Sequence, residues 1–324
     1  MCVNIGKAGR LIRALIEHRV LHAESVKWAT LHAAPMDTEE IRSIRVGHSP
    51  DPDDAFMFHA LTTGAFPTPG YRFEHILLDI ETLNQKALLG EYEVSAVSIH
   101  AYPEISAQYA LMNCGASMGE GYGPMLVTNS EMTLEEACSG TIAIPGLKTS
   151  AYLALKLACG DVDIAVVPFD EIIPRIQSGE FSSGVIIHEG QLTWENEGLN
   201  LLLDLGVWWN ENNNGWPLPL GGNVVRRDLG EEACAKISEW VKMSIEHSIN
   251  QPEAALEFAI QWGRGIDEDT NSKFVQMYVN ERTIDYGSDG RASIRKFLSD
   301  GQDIGMIDGN FDPAEVDFIG MGPK

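Results

Sequence analysis

From Ile44 onward, short apolar runs alternate with segments whose apolar residues recur at helical spacing, and Gly or Pro punctuates many of the changes. Strands are predicted over residues 45–48, 73–78, 94–99, 124–128, 141–144, 164–167, 185–187, 199–203 and 223–225. Helices are predicted between them over 54–64, 80–89, 103–108 and 149–158. Gly90 stops the second of these helices, and Thr133 with Glu136 fits a capping box that opens another. Beyond Val225 the pattern turns almost wholly helical, over 231–249, 253–262, 269–280 and 292–298. This alternation predicts the α/β class.

The α/β pattern falls into two sets joined by two connections, one near Gly121–Asn129 and one near Pro217–Val225. Two lobes around a central cleft follow: a large lobe of residues 44–129 plus 223–324, and a small lobe of residues 130–222. In open sheets of this kind, ligands bind beyond the carboxyl ends of strands and at helix N-termini. Gly115, Gly119, Gly121 and Gly123 invite comparison with a dinucleotide loop, but they lead into a strand instead of a helix, so that reading fails. A flexible crossover is the expectation there.

Length and charge narrow the partners. At roughly 150 residues per domain, 324 residues predict two domains. Lys and Arg number 23 against 47 Asp and Glu, a net charge of -24 that repels phosphate backbones and anionic lipid. Neither nucleic acid nor a membrane surface is expected as a partner. No apolar run approaches the roughly 18 residues of a membrane-spanning helix. The five cysteines are odd in number and widely spaced, which reads as reduced thiols in a cytoplasmic setting. Residues 1–34 differ, with five basic against two acidic side chains, and residues 1–43 are expected to be an extension, either disordered or the mark of a mis-assigned start, with Met36 as the alternative start.

Three turns between a strand and a helix carry candidate chemistry. Asp51, Asp53 and Asp54 follow the first strand, where they either complement the positive end of a helix or form a wall of the cleft. At residues 145–152, Thr149 and Ser150 open a helix beside Lys148, a turn suited to a small oxyanion or to simple capping. His188 ends the apolar strand that contains Val185–Ile187, facing the cleft as a proton acceptor or buried for structure. His100, after Ser98, holds the analogous place in the first lobe.

Other constellations carry less. His18 and His22 have metal-ligand spacing but no third ligand nearby. The series starting at Asp267 and Asp308 place Ser272 and Pro313 where a calcium loop needs Gly. Trp208, Trp209 and Trp216 fit a core better than an aromatic cleft wall. No metal or cofactor is expected.

Taken in order, Ser49-Pro50-x-Pro52-x-Asp54-x-Phe56, Asp79-Ile80-Glu81-Thr82-Leu83-Asn84, Pro145-Gly146-x-x-Thr149-x-Ala151-Tyr152, Gly184-x-Ile186-Ile187-His188-Glu189 and Pro217-Leu218-Pro219-Leu220-Gly221 resemble the 1,4-dihydroxy-6-naphthoate synthase family of the futalosine route to menaquinone. The resemblance spans about residues 44–299. It implies a two-lobed fold like the type II periplasmic binding proteins, and a cytoplasmic lyase acting on a small carboxylate-bearing substrate, cyclic dehypoxanthinyl futalosine. It further implies His188 as proton acceptor and a pocket lined by Asn84, Ala96, Val97, Ser98, Thr149 and Ser150. A non-catalytic solute-binding protein of the same fold is the alternative. The chain departs from the family pattern at Asp51, Asp53 and Ala55, which replace Cys, Asn and Thr, and at Ala96, where the family often has Lys. Those departures predict a pocket less welcoming to anions.

Overall fold

The computed structural model describes residues 41–261 and 267–319. The expectations for residues 1–40, including the His18 and His22 pair, and the helix end at Trp262 lie outside the described residues.

Among the described residues, two mixed sheets carry the fold. The first has the strand order β2-β1-β3-β11-β4, with β5 paired to β11. Its strands are β1 (Arg42–His48), β2 (Tyr71–Leu77), β3 (Val94–Ser98), β4 (Tyr109–Leu111), β5 (Ser117–Gly119) and β11 (Leu218–Arg226). β1 runs parallel to β2 and β3, while β11 is antiparallel to β3, β4 and β5. The second sheet has the order β10-β6-β9-β7-β8, built from β6 (Met125–Thr128), β7 (Thr141–Ile144), β8 (Asp163–Val166), β9 (Ser183–Ile186) and β10 (Asn200–Asp204). β6 thus belongs to the second sheet and all of β11 to the first, so the chain changes sheets between Gly119 and Met125 and returns between Asp204 and Leu218. The two crossings pass at backbone contact. A Cβ on Gly206 would lie 2.0 Å from the Tyr122 carbonyl oxygen, so only Gly fits there.

The helix α1 (Pro52–Thr62) is buried along nearly its whole length, from Pro52 through Leu61. That all-round burial explains why its apolar residues show no single stripe. Three helices, α9 (Glu231–Asn250), α10 (Pro252–Ile260) and α11 (Glu268–Tyr278), pack over it, so the helical C-terminal third encloses the element that follows β1. Trp209 proves to be core: it is fully buried, donates from its indole N–H to Ser293 Oγ at 3.0 Å, and meets the Phe297 ring edge-on. The capping box of Thr133 and Glu136 forms as read from the sequence.

Candidate active site

One cavity lies between the two sheets, and its wall is made of strand ends and helix starts. From the first sheet come Ser49, Asp51, Asp53 and Asp54 after β1, Ala96, Val97 and Ser98 at the end of β3, Ser117 in β5, and Leu220 to Asn223 in β11. The second sheet supplies Thr149, Ser150 and Ala151 at the start of α5 (Ser150–Cys159), and Ile187, His188 and Gln191 after β9. Met57, Phe274 and Tyr278 add an apolar side. Six of the seven residues expected at the site therefore line this cavity. The seventh, Asn84, sits behind the wall, fully buried on α2 (Ile80–Leu88), and binds Ser98 by both its amide groups.

His188 occupies the left-handed region, with φ at 54°, a conformation that costs a non-glycine residue energy and recurs at functional sites. The turn is held by the Gln191 N–H, which donates to the His188 carbonyl at 3.1 Å. Its ring meets the Phe169 ring edge-on at 4.9 Å. His188 Nδ1 lies 2.8 Å from the Asp51 carboxylate, which is 1% exposed. Burial pulls the imidazole pKa down, but the Asp51 charge and hydrogen bond, aided by Glu189 and Asp53, outweigh it and raise His188 to about 9. A neutral imidazole at neutral pH, expected of a free-standing base, is therefore not what the fold provides.

The acidic turn lines the cavity, as the second of its sequence readings has it, and departs from the first, the capping of its helix. Asp51 stands at the N-cap of α1 without capping it through its side chain. Ser49 Oγ donates to Asp51 Oδ2, and the Ser49 N–H donates to Asp54 Oδ2 at 2.7 Å. Burial, reinforced by Asp51, pushes Asp53 up to about 7, and burial likewise holds Asp54 toward its neutral form. The two carboxylates added at positions 51 and 53 thus carry less net negative charge into the cavity than their formal count: one is paired with an imidazolium and the other is half-protonated near neutrality.

At the opposing turn, capping and cavity wall coexist. Thr149 Oγ1 accepts from the Tyr152 N–H at 3.2 Å as the N-cap of α5, and Ser150 Oγ donates to the Leu220 carbonyl at 2.6 Å, tying the helix start to β11. Lys148 turns away to pair with Glu104, so its charge serves the surface and not the cavity. His100 lies behind the turn: its backbone N–H donates to Ser150 Oγ at 3.2 Å, and its ring lines a separate cavity with Tyr102 and Arg227.

Sequence reasoning missed Asn223, Ser117, Gln191 and Tyr278. Asn223 is directly opposite Ala96 in the β3–β11 register, a pairing that no local pattern announces. Tyr278 and Gln191 meet at 2.7 Å across the cavity, from α11 and from the turn after β9. Among the described residues, no cluster of three His, Cys, Asp or Glu side chains is arranged to hold a metal ion, and no helix is long and apolar enough to cross a membrane.

The model of the menaquinone biosynthesis family matches residues 44–303. The chain belongs to this family. It is 33% identical over 266 residues to the 1,4-dihydroxy-6-naphthoate synthase of Thermus thermophilus, covering 82% of this chain and 96% of that enzyme. The crystal structure of an Archaeoglobus fulgidus protein is 41% identical and superposes with a TM-score of 0.78, covering 84% of this chain and all of the other. The alkanesulfonate-binding protein of Xanthomonas axonopodis is only 9% identical, yet it superposes at a TM-score of 0.65 over 86% of this chain and 98% of its own. That last likeness concerns the fold alone and confirms the periplasmic-binding-protein architecture for this member of the menaquinone biosynthesis family.

Proposed function

We propose that the protein is a carbon–carbon lyase that converts cyclic dehypoxanthinyl futalosine to 1,4-dihydroxy-6-naphthoate, with His188 as the proton acceptor. The observation that carries this reading is the placement of His188 on the cavity wall with Nδ1 engaged by Asp51. With that nitrogen committed, Nε2 of the deprotonated imidazole, the form that gains ground toward alkaline pH, is the atom left to take a proton from carbon. Loss of that proton lets the sugar-derived ring leave and the carbocycle become aromatic, and aromatisation drives the reaction forward.

The two sheets act as two lobes that share one substrate. Ser98, held by Asn84, with Ala96 and Val97 would contact it from the first, and Thr149 and Ser150 at the start of α5 from the second. Closure of the lobes excludes water and fixes the reacting carbon near the imidazole. The step as proposed calls on neither metal nor nucleotide. Incubation of the purified chain with the cyclic futalosine derivative, followed by mass spectrometry, tests the proposal: the naphthoate should accumulate over many turnovers. Stoichiometric binding of unchanged substrate would instead support the solute-binding alternative.

A further inference from the structure

We propose that Asp51 is a positioning residue for His188: reaching across from the opposite sheet, it holds the imidazole Nδ1–H and leaves Nε2 to exchange protons with the bound ligand. The lyase reading supplies the ligand for this inference, whereas the pairing itself rests on geometry.

Three observations support it. Asp51 follows β1 of the first sheet and His188 follows β9 of the second, so the 2.8 Å contact spans the cavity and forms only when the two sheets are brought together. Asp51 is 1% exposed, and a carboxylate buried that deeply must be paired to remain charged. Its side chain is also spared the task its position offers, since it caps no N–H of α1, and Asp54 takes the neighbouring Ser49 N–H instead. The Asp51 side chain accepts from the Ser49 hydroxyl and from His188.

The other groups bearing on the ring are Glu189 on its own turn and Asp53 on α1, both carboxylates, with the Phe169 edge packed alongside. All three acids favour the cation, and Asp51 is the one in hydrogen-bond contact. A His so held keeps a single tautomer when it loses its proton, as a base oriented by a carboxylate does. Its working range then moves to alkaline pH, in line with the raised value of about 9.

The test is a ring-nitrogen NMR titration of His188 in the full chain and in Asp51→Asn, run beside the pH dependence of kcat/KM. The unmodified chain should titrate above about 8 and show the Nδ1–H tautomer once neutral. In Asp51→Asn the midpoint should fall by about 1–3 units, and the acidic, rising limb of kcat/KM should move to lower pH with it while KM stays nearly constant. A midpoint near 6.5 in the unmodified chain, the ordinary value for His, or an unchanged midpoint in the variant would overturn the proposal. Should Asp51→Asn fail to fold, the midpoint and tautomer of the unmodified chain still decide. A high midpoint without turnover of the futalosine derivative would sink the lyase reading and leave the pairing intact.

Discussion

Asn84 and Ser98 are joined by two hydrogen bonds: Asn84 Nδ2 donates to Ser98 Oγ at 3.0 Å, and the Ser98 N–H donates to Asn84 Oδ1 at 2.8 Å. Both side chains are buried, so the pair fixes the end of β3 against α2 and presents Ser98 to the cavity. Asn84→Ala leaves two buried groups unpartnered, at a cost of about 1–3 kcal/mol. Thermal melting should show a correspondingly lower Tm, and kinetics a higher KM with a smaller change in kcat. An unchanged KM would mean that Ser98 does not contact the substrate.

His100 offers a contrast with His188. Its ring nitrogen Nδ1 lies 3.2 Å from the Thr149 carbonyl, and burial lowers the ring to about 4, so it is neutral and occupied by structure. His100→Ala should therefore lower the Tm and raise KM by loosening the start of α5, while the pH dependence of kcat keeps its shape. A pH limb that vanished in this variant would transfer the base to the first lobe.

Much of the fold is legible in the sequence because strand and helix periods are local properties. The ends of β7 coincide with the predicted segment, and α9 is off by one residue. Two kinds of feature resist such reading. The short strands β4 and β5 are held by pairing with β11, a partner about a hundred residues away, and leave too brief a pattern to stand out. The partner of His188 is likewise set by tertiary structure, since Asp51 and His188 are 137 positions apart and belong to different sheets. The motifs located the strand ends, but nothing local distinguishes a carboxylate that caps its helix from one that crosses a cavity.

Stability should depend on pH in part through His188. Between its ordinary value of 6.5 and about 9, the folded chain holds a proton there that the unfolded chain has lost, so stability is present below this window and is lost as pH rises through it. The whole effect is at most about 3 kcal/mol. Asp53, raised to about 7, loses its contribution mostly below that pH. Buried His48, His75 and His100, lowered to about 3, 4 and 4, act in the opposite sense, and only where unfolded imidazoles take up protons, below about 6.5. Melting temperatures should accordingly fall from about pH 7 to 9, and His188→Gln should flatten that slope. An equal slope in the variant would place the pH dependence elsewhere.

The central claim is that His188 takes the proton, and the most direct measurement is kcat of His188→Ala on the cyclic futalosine derivative, with substrate binding measured in parallel by calorimetry. The account predicts a loss of about 10² to 10⁴ in kcat with binding retained, the usual toll of removing a general base. A kcat close to that of the unmodified chain would contradict it.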